Sequence, residues 1–162
     1  MPEHHERSPR GRGRDDAVVQ LRVQRLDPDL PLPKQQHPDD AGYDLHARED
    51  VELAPGGGRA IVPTGLAVAI PSGHAGFVLP RSGLALAHGV TCLNTPGLID
   101  PLYRGELKVL LVNTDPTTPY TVHRGDRIAQ LVIQAVQTVE WIEVDALDAT
   151  ARDTYGFGST GR

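Results

Sequence analysis

The chain has 162 residues, 39% of them hydrophobic and only 4% aromatic, enough for one domain whose core is built mainly from Val, Leu, Ile and Ala. It contains no run near the roughly 18 apolar residues of a membrane span, and its N-terminus lacks the apolar stretch of a secretion signal. Cys92 is the lone cysteine, which excludes an intrachain disulfide and points to a reducing, cytoplasmic setting. The net charge is −5, and the first 16 residues balance four Arg against four acids, so the body carries the whole deficit. An acidic body argues against broad nucleic-acid binding, and any polyphosphate must be held locally by a few arginines, backbone amides or a metal.

In chain order, residues 1–16 have no apolar run and read as a disordered tail. Ala17–Leu26 alternates Val19, Leu21 and Val23 against Gln20, Arg22 and Gln24, which predicts a half-buried strand. A Pro-rich polar connection follows over 27–40. Short strands are predicted at Tyr43–Ala47, Arg59–Val62, Leu66–Ile70 and His74–Leu79, separated by Pro- and Gly-marked turns. Ser82–His88 is the one helical segment, with Gly89 as its C-cap. Asn94–Asn113 reads as a β-hairpin turning at Asp100–Gly105, and Arg127–Gln134 and Val139–Val144 as two further strands. Strand signals at roughly ten-residue spacing predict an all-β sandwich, barrel or jelly roll.

Several polar clusters sit at the turns. Asp100 follows Leu98-Ile99, which places a carboxylate at the mouth of a pocket beside Tyr103 and Arg104. Pro80-Arg81-Ser82-Gly83 offers a guanidinium, a hydroxyl and free amides where a strand enters the helix, which suits phosphate; the plain structural reading is that Ser82 caps the helix. The segment Arg152–Gly161, RDTYGFGSTG, carries Phe157 between glycines and reads either as a lid, with Arg152, Ser159 and Thr160 reaching phosphate oxygens, or as simple C-terminal disorder. Asp44 and the RGDR turn at 124–127, followed by Gln130, read first as turn chemistry. The seven histidines show no metal-ligand spacing, and no P-loop or nucleophile elbow is present.

Taken in order, AGYDL (41–45), PRSGLA (80–85), NTPGLIDPLYRGEL (94–107), RGDRIAQLVI (124–133) and RDTYGFGSTG (152–161) resemble the five motifs of the homotrimeric dUTPase family. The resemblance covers nearly everything beyond the tail. It implies a jelly-roll-type β-barrel spanning 17–147, a C-terminal arm over 148–162, and a homotrimer with shared active sites. The implied reaction is magnesium-dependent hydrolysis of dUTP to dUMP and pyrophosphate, which limits uracil incorporation into DNA and supplies dUMP for dTMP synthesis. By motif position, Asp100 corresponds to the general base that activates water, and partial desolvation fits that task. Tyr103 corresponds to the ring against deoxyribose, and Asn94, with backbone at Leu98, Ile99 and Lys108, to the uracil site. Arg81, Ser82, Gly83 and Gln130 correspond to phosphate contacts. Arg152, Ser159 and Thr160 correspond to a γ-phosphate clamp, Phe157 to a stacking lid, and Asp44 to an acid orienting the hydration shell of Mg²⁺. No membrane or nucleic-acid partner is implied.

The chain departs from the family pattern at Asp153 and Tyr155 in the arm, which bear on lid closure, and mildly at Leu102 in the turn. Two rival readings share the fold. A dCTP deaminase needs a proton-shuttling glutamate ten residues after the hairpin acid, and Leu110 stands there. A non-catalytic nucleotide-binding module would bind dUTP without turnover, and the presence of Asp100 together with the phosphate residues argues against it.

Overall fold

The computed structural model describes residues 18–150; the N-terminal tail and the arm residues Arg152, Asp153, Tyr155, Phe157, Ser159 and Thr160 lie outside them. The strands are β1 (Arg22–Arg25), β2 (Tyr43–His46), β3 (Val51–Leu53), β4 (Arg59–Ala69), β5 (His74–Leu79), β6 (Val90–Cys92), β7 (Gly97–Ile99), β8 (Glu106–Asn113), β9 (Tyr120–Val122) and β10 (Arg127–Ala135), with one helix, α1 (Ser82–His88). They form a four-stranded sheet in the order β1-β4-β8-β6, a second in the order β2-β10-β5-β7, and a two-stranded β3-β9 sheet. All three contribute to one core: Val62, Val68, Leu107, Val109 and Leu111 from the first, Leu45, Val78, Ile128 and Leu131 from the second, Leu53 and Val122 from the third. The result is an all-β fold of jelly-roll type. The period-2 alternation of β8, with Leu107, Val109 and Leu111 buried and Lys108 exposed, is what aims one face at that core.

Several expectations from the sequence are corrected. Asn94–Asn113 is not a paired hairpin: β7 pairs with β5, whereas β8 pairs with β4 and β6, so the Asp100–Gly105 turn carries the chain from one sheet to the other. The RGDR turn behaves likewise, since β9 pairs with β3 and β10 with β2 and β5. Arg59–Val62 and Leu66–Ile70 are one strand, β4, interrupted by a bulge between Pro63 and Ala67. Pro63 cannot donate to a ladder, and side chains cover the gap: Thr64 Oγ1 donates to the Leu107 carbonyl (2.7 Å) and Gly65 N–H to Glu106 Oε1 (2.8 Å). Strands β3, β6 and β9, three residues each, were too short to signal in the sequence.

The N-terminal strand is confined to Arg22–Arg25 and is exposed throughout, because β1 is an edge strand paired only with β4. Val139–Val144 forms no strand. It has no ladder partner among the described residues, with Trp141 91% and Ile142 78% exposed. α1 matches its expected span and ends on Gly89, whose φ of 65° suits glycine and whose amide reaches the Ala85 carbonyl. Ser82 is exposed and no side chain caps the helix, so the plain capping role expected for Ser82 is absent.

An ion-pair chain ties the loops together at the end of the fold where β8 begins. Asp27, 9% exposed, accepts from Arg124 Nη1 and Nη2 at 2.5 and 3.1 Å and lies 3.5 Å from Arg48 Nε. Arg48 Nη1 in turn reaches Glu106 Oε1 at 3.3 Å. The hydrogen bond from Arg124 holds the Asp27 carboxyl down at about 2, against the opposing effect of burial. Because its folded-state value lies below the unfolded one of about 3.9, its stabilisation is fully present above that pH and is lost as pH falls toward 2. We therefore expect Asp27→Asn to melt below the wild type at neutral pH, with the gap closing between about pH 4 and pH 2. Melting temperatures of both proteins across that window test it; a constant gap would place the effect in packing instead of charge.

Candidate active site

The first three phosphate-type motifs converge in the folded chain. β2, β10 and β5 are adjacent, and Gln130 sits opposite Asp44 on one side and Leu79 on the other. Asp44, 7% exposed, faces Arg81 Nε at 3.7 Å and Arg127 Nη1 at 3.2 Å. Arg81 Nη1 also donates to the Arg127 carbonyl (2.9 Å), and Gln130 Nε2 to the Pro80 carbonyl (3.0 Å). Two guanidiniums are thus held on one buried carboxylate, at the start of the exposed segment Ser82-Gly83. A Cβ at Gly83 would meet nothing within 4 Å, so its backbone faces open space. Beside Asp44, Gly42 and Gln130 lies a pocket of about 350 Å³.

Arg127 is a member of this cluster that sequence reasoning missed; the available signal was a cation directly after the Gly-Asp turn, at the entry to an apolar strand. His46, across from Arg127 in the ladder, was also missed, and burial pushes its imidazole below the usual histidine value. Gly42 is required by close approach, since a Cβ there would collide with the amide end of Gln130. Gly42→Ala should keep the fold, because the displaced atoms end a flexible side chain. It should break the Gln130–Pro80 bond and weaken binding of a triphosphate analogue roughly fivefold, the scale of one hydrogen bond. Titration calorimetry on the two proteins measures this directly, and equal affinities would remove Gln130 from the binding surface.

The base and sugar candidates cluster separately, around β7 and the turn after it. Asn94 is exposed in the loop before β7, which a cis Thr95–Pro96 peptide leads into. β7 is the edge strand of its sheet, so one row of its backbone groups at Leu98 and Ile99 is left unpaired by any strand. On β8, the pairing with β6 covers only Leu111–Asn113, which leaves that side of the backbone near Lys108 open. Leu98 is 58% exposed, and Tyr103 stands at the turn with its hydroxyl donating to the Glu106 carbonyl (2.9 Å). Asp100 is exposed. The desolvation expected of it from the sequence is therefore not supplied by the described residues.

The two clusters do not meet within one chain around Asp100. β7 runs antiparallel to β5 with Gly76 opposite Ile99 and Val78 opposite Gly97, so Asp100 leaves beside Ala75 while Arg81 follows the far end at Leu79. Ala75 to Leu79 alone spans about 13 Å at ~3.3 Å per residue. Nor is there a metal cage: among the described residues no three of His, Cys, Asp and Glu come together. A single carboxylate, Asp44, fits only an ion whose ligands come mostly from phosphate oxygens and water. The position of the deaminase glutamate is occupied by Leu110, half-buried on β8.

Comparison with known proteins identifies the family. The dUTPase family profile matches residues 29–161. Deoxyuridine 5'-triphosphate nucleotidohydrolase of Thermobifida fusca is 59% identical over 144 residues, covering 89% of this chain and 80% of that protein. The enzyme of the same name from Corynebacterium glutamicum is 55% identical over 145 residues, 90% of this chain and 97% of its own. Among solved structures, a single-site variant of Staphylococcus bacteriophage 80alpha dUTPase with dUpNHpp superposes with a TM-score of 0.80 at 28% identity, covering 90% of this chain and all of that one. A phage phi11 dUTPase variant, described with a structural Mg(II) ion, gives a TM-score of 0.71 at 28% identity over 80% of this chain and 99% of its own. With its phosphate-type cluster on β2, β5 and β10 and its exposed acid on the β7–β8 turn, this chain belongs to the dUTPase family, the dUTP diphosphatases.

Proposed function

We propose that the chain hydrolyses dUTP at the α-phosphorus, with Asp100 as the base that takes a proton from the attacking water. The new bond joins the water oxygen to the α-phosphorus. The bond from that phosphorus to the bridging oxygen breaks, releasing pyrophosphate and leaving dUMP. Asn94 and the unpaired backbone rows at Leu98, Ile99 and Lys108 read uracil: an amide side chain and strand-edge groups offer the mixed donors and acceptors that an imide needs. Tyr103 packs against deoxyribose. Arg81, Arg127, Ser82, Gly83 and Gln130 receive the phosphates. Arg152, Ser159 and Thr160 clamp the γ-phosphate, with Phe157 covering the base. The residues present suit Mg²⁺ carried by the triphosphate: Asp44 would orient its waters, and the ion would supply charge neutralisation. The expected physiological setting is cytoplasmic removal of dUTP.

The observation that carries this reading is the division of the site across the fold. The exposed carboxylate of Asp100 lies beside Ala75 at one end of β5, and the carboxylate-anchored pair of arginines lies past Leu79 at the other, with the open edge of β7 running between them. Such halves become one site when copies of the chain assemble, and a homotrimer with shared sites satisfies this. Assembly and arm closure then provide the desolvation that Asp100 lacks among the described residues. Deleting the chain from Arg152 onward is expected to abolish turnover while leaving the number of copies in the assembly unchanged, as light scattering would show.

The deciding assay follows dUMP and pyrophosphate release from dUTP with magnesium. Stoichiometric release of both is expected, with no ammonia from dCTP. Tight dUTP binding without pyrophosphate release would favour the non-catalytic module.

A further inference from the structure

We propose that Gly105 and Glu106 are positioning residues that fix the Tyr103 ring and thereby set the preference for a sugar without a 2′-hydroxyl. The inference rests on the reading of Tyr103 as the ring against deoxyribose. What it adds is the device that holds the ring still. Tyr103 Oη donates to the Glu106 carbonyl at 2.9 Å, which folds the ring back over Gly105. A Cβ on Gly105 would lie 2.5 Å from that oxygen and 2.7 Å from Cζ, so only glycine lets the ring lie there. Glycine is needed for space and not for backbone angle, because Gly105 is not among the residues of positive φ. With part of the ring on Gly105, Tyr103 as a whole remains 43% exposed, and the ring presents a wall.

Glu106 does not move freely either. Its Oε1 accepts from the Gly65 amide in the β4 bulge (2.8 Å) and lies 3.3 Å from Arg48 Nη1, which is itself beside Asp27. On the other side of the ring's own residue, Arg104 Nη1 donates to the carbonyls of Pro101 (2.6 Å) and Tyr103 (2.7 Å), bracing the turn. The carbonyl that anchors the tyrosine hydroxyl therefore belongs to a residue clamped to the first sheet. A steric wall discriminates only as well as it is held, because a ring that swings aside relieves the clash with an added hydroxyl.

The test compares kcat/KM for dUTP and UTP in wild type, Tyr103→Phe and Gly105→Ala, with melting temperatures alongside. Tyr103→Phe keeps the ring and removes only its anchor. The dUTP/UTP selectivity ratio should fall roughly fivefold, on the scale of one lost hydrogen bond. Gly105→Ala should lower it further, by about tenfold, because the ring must leave its seat. Equal losses on both substrates, with the ratio unchanged, would overturn the proposal and leave these residues a purely structural role. If Gly105→Ala melts at the assay temperature, Tyr103→Phe decides alone. A wild type that fails to discriminate UTP would instead sink the sugar-wall reading of Tyr103, an outcome visible before any variant is made.

Discussion

Asp100→Asn is expected to lower the rate of dUTP hydrolysis roughly 10²-fold or more, the usual contribution of a positioned general base. The change is nearly isosteric, and Asp100 is exposed with no side-chain hydrogen bond or ion pair among the described residues, so none of their packing depends on its charge. The turn it begins is held by backbone, through the Tyr103 amide on the Asp100 carbonyl at 3.1 Å, which asparagine preserves. An amide cannot accept the proton released when water attacks phosphorus, so the loss should fall on kcat. Affinity should hold or improve, since a negative charge near the triphosphate is removed. Single-turnover rates and calorimetric binding of a non-hydrolysable analogue separate the two quantities. A variant with near-normal turnover would move the base role to another residue; one that no longer bound the analogue would make Asp100 a binding residue.

How much of this was legible in the sequence depended on whether the relevant contacts were local. The helix at 82–88 and its Gly89 cap were readable because capping is decided within one turn. The strands at 43–47 and 74–79 followed from alternation and flanking glycines. Pairing was not readable. A Pro- and Gly-marked reversal such as Asp100–Gly105 looks the same whether the strands it joins bond to each other or change sheets, and here they change sheets. The bulge at Pro63-Thr64-Gly65 was mistaken for a turn because its compensation comes from Glu106 and from the Leu107 carbonyl, some forty residues away. Val139–Val144 shows the reverse error: apolar alternation reports what a segment would bury, and within the described chain no partner buries it.

The same limits apply to the site. Asp44, Arg81 and Gln130 were found as separate motifs, but their meeting depends on β2, β10 and β5 being neighbours, and Arg127 becomes visible only then. Asp100 was read as a half-buried acid because Leu98 and Ile99 precede it. In the single chain Leu98 is exposed too. Burial of both is left to whatever covers β7 and the turn, which lies outside the described residues and is a question that residue pattern cannot answer.

That question has a direct functional test. If Asp100 of one copy works with Arg81 of another, two inactive variants should restore each other. Asp100→Asn and Arg81→Ala are each expected to be crippled when pure. The first keeps an intact arginine cluster, since the β7–β5 register places Asp100 at the other end of β5. The second keeps Asp100 and the strand edges of β7 and β8, losing only the guanidinium that bridges Asp44 and the Arg127 carbonyl. Mixed at equal ratio and allowed to co-assemble, random pairing gives about a quarter of the composite sites both wild-type halves. Activity should therefore rise from near zero to about a quarter of the wild-type value, and only under conditions that let subunits exchange. A site built within one chain predicts no recovery at any ratio, because every chain in the mixture carries one defect. Recovery also distinguishes this account from misfolding of either variant, since a chain that cannot fold has no intact half to lend.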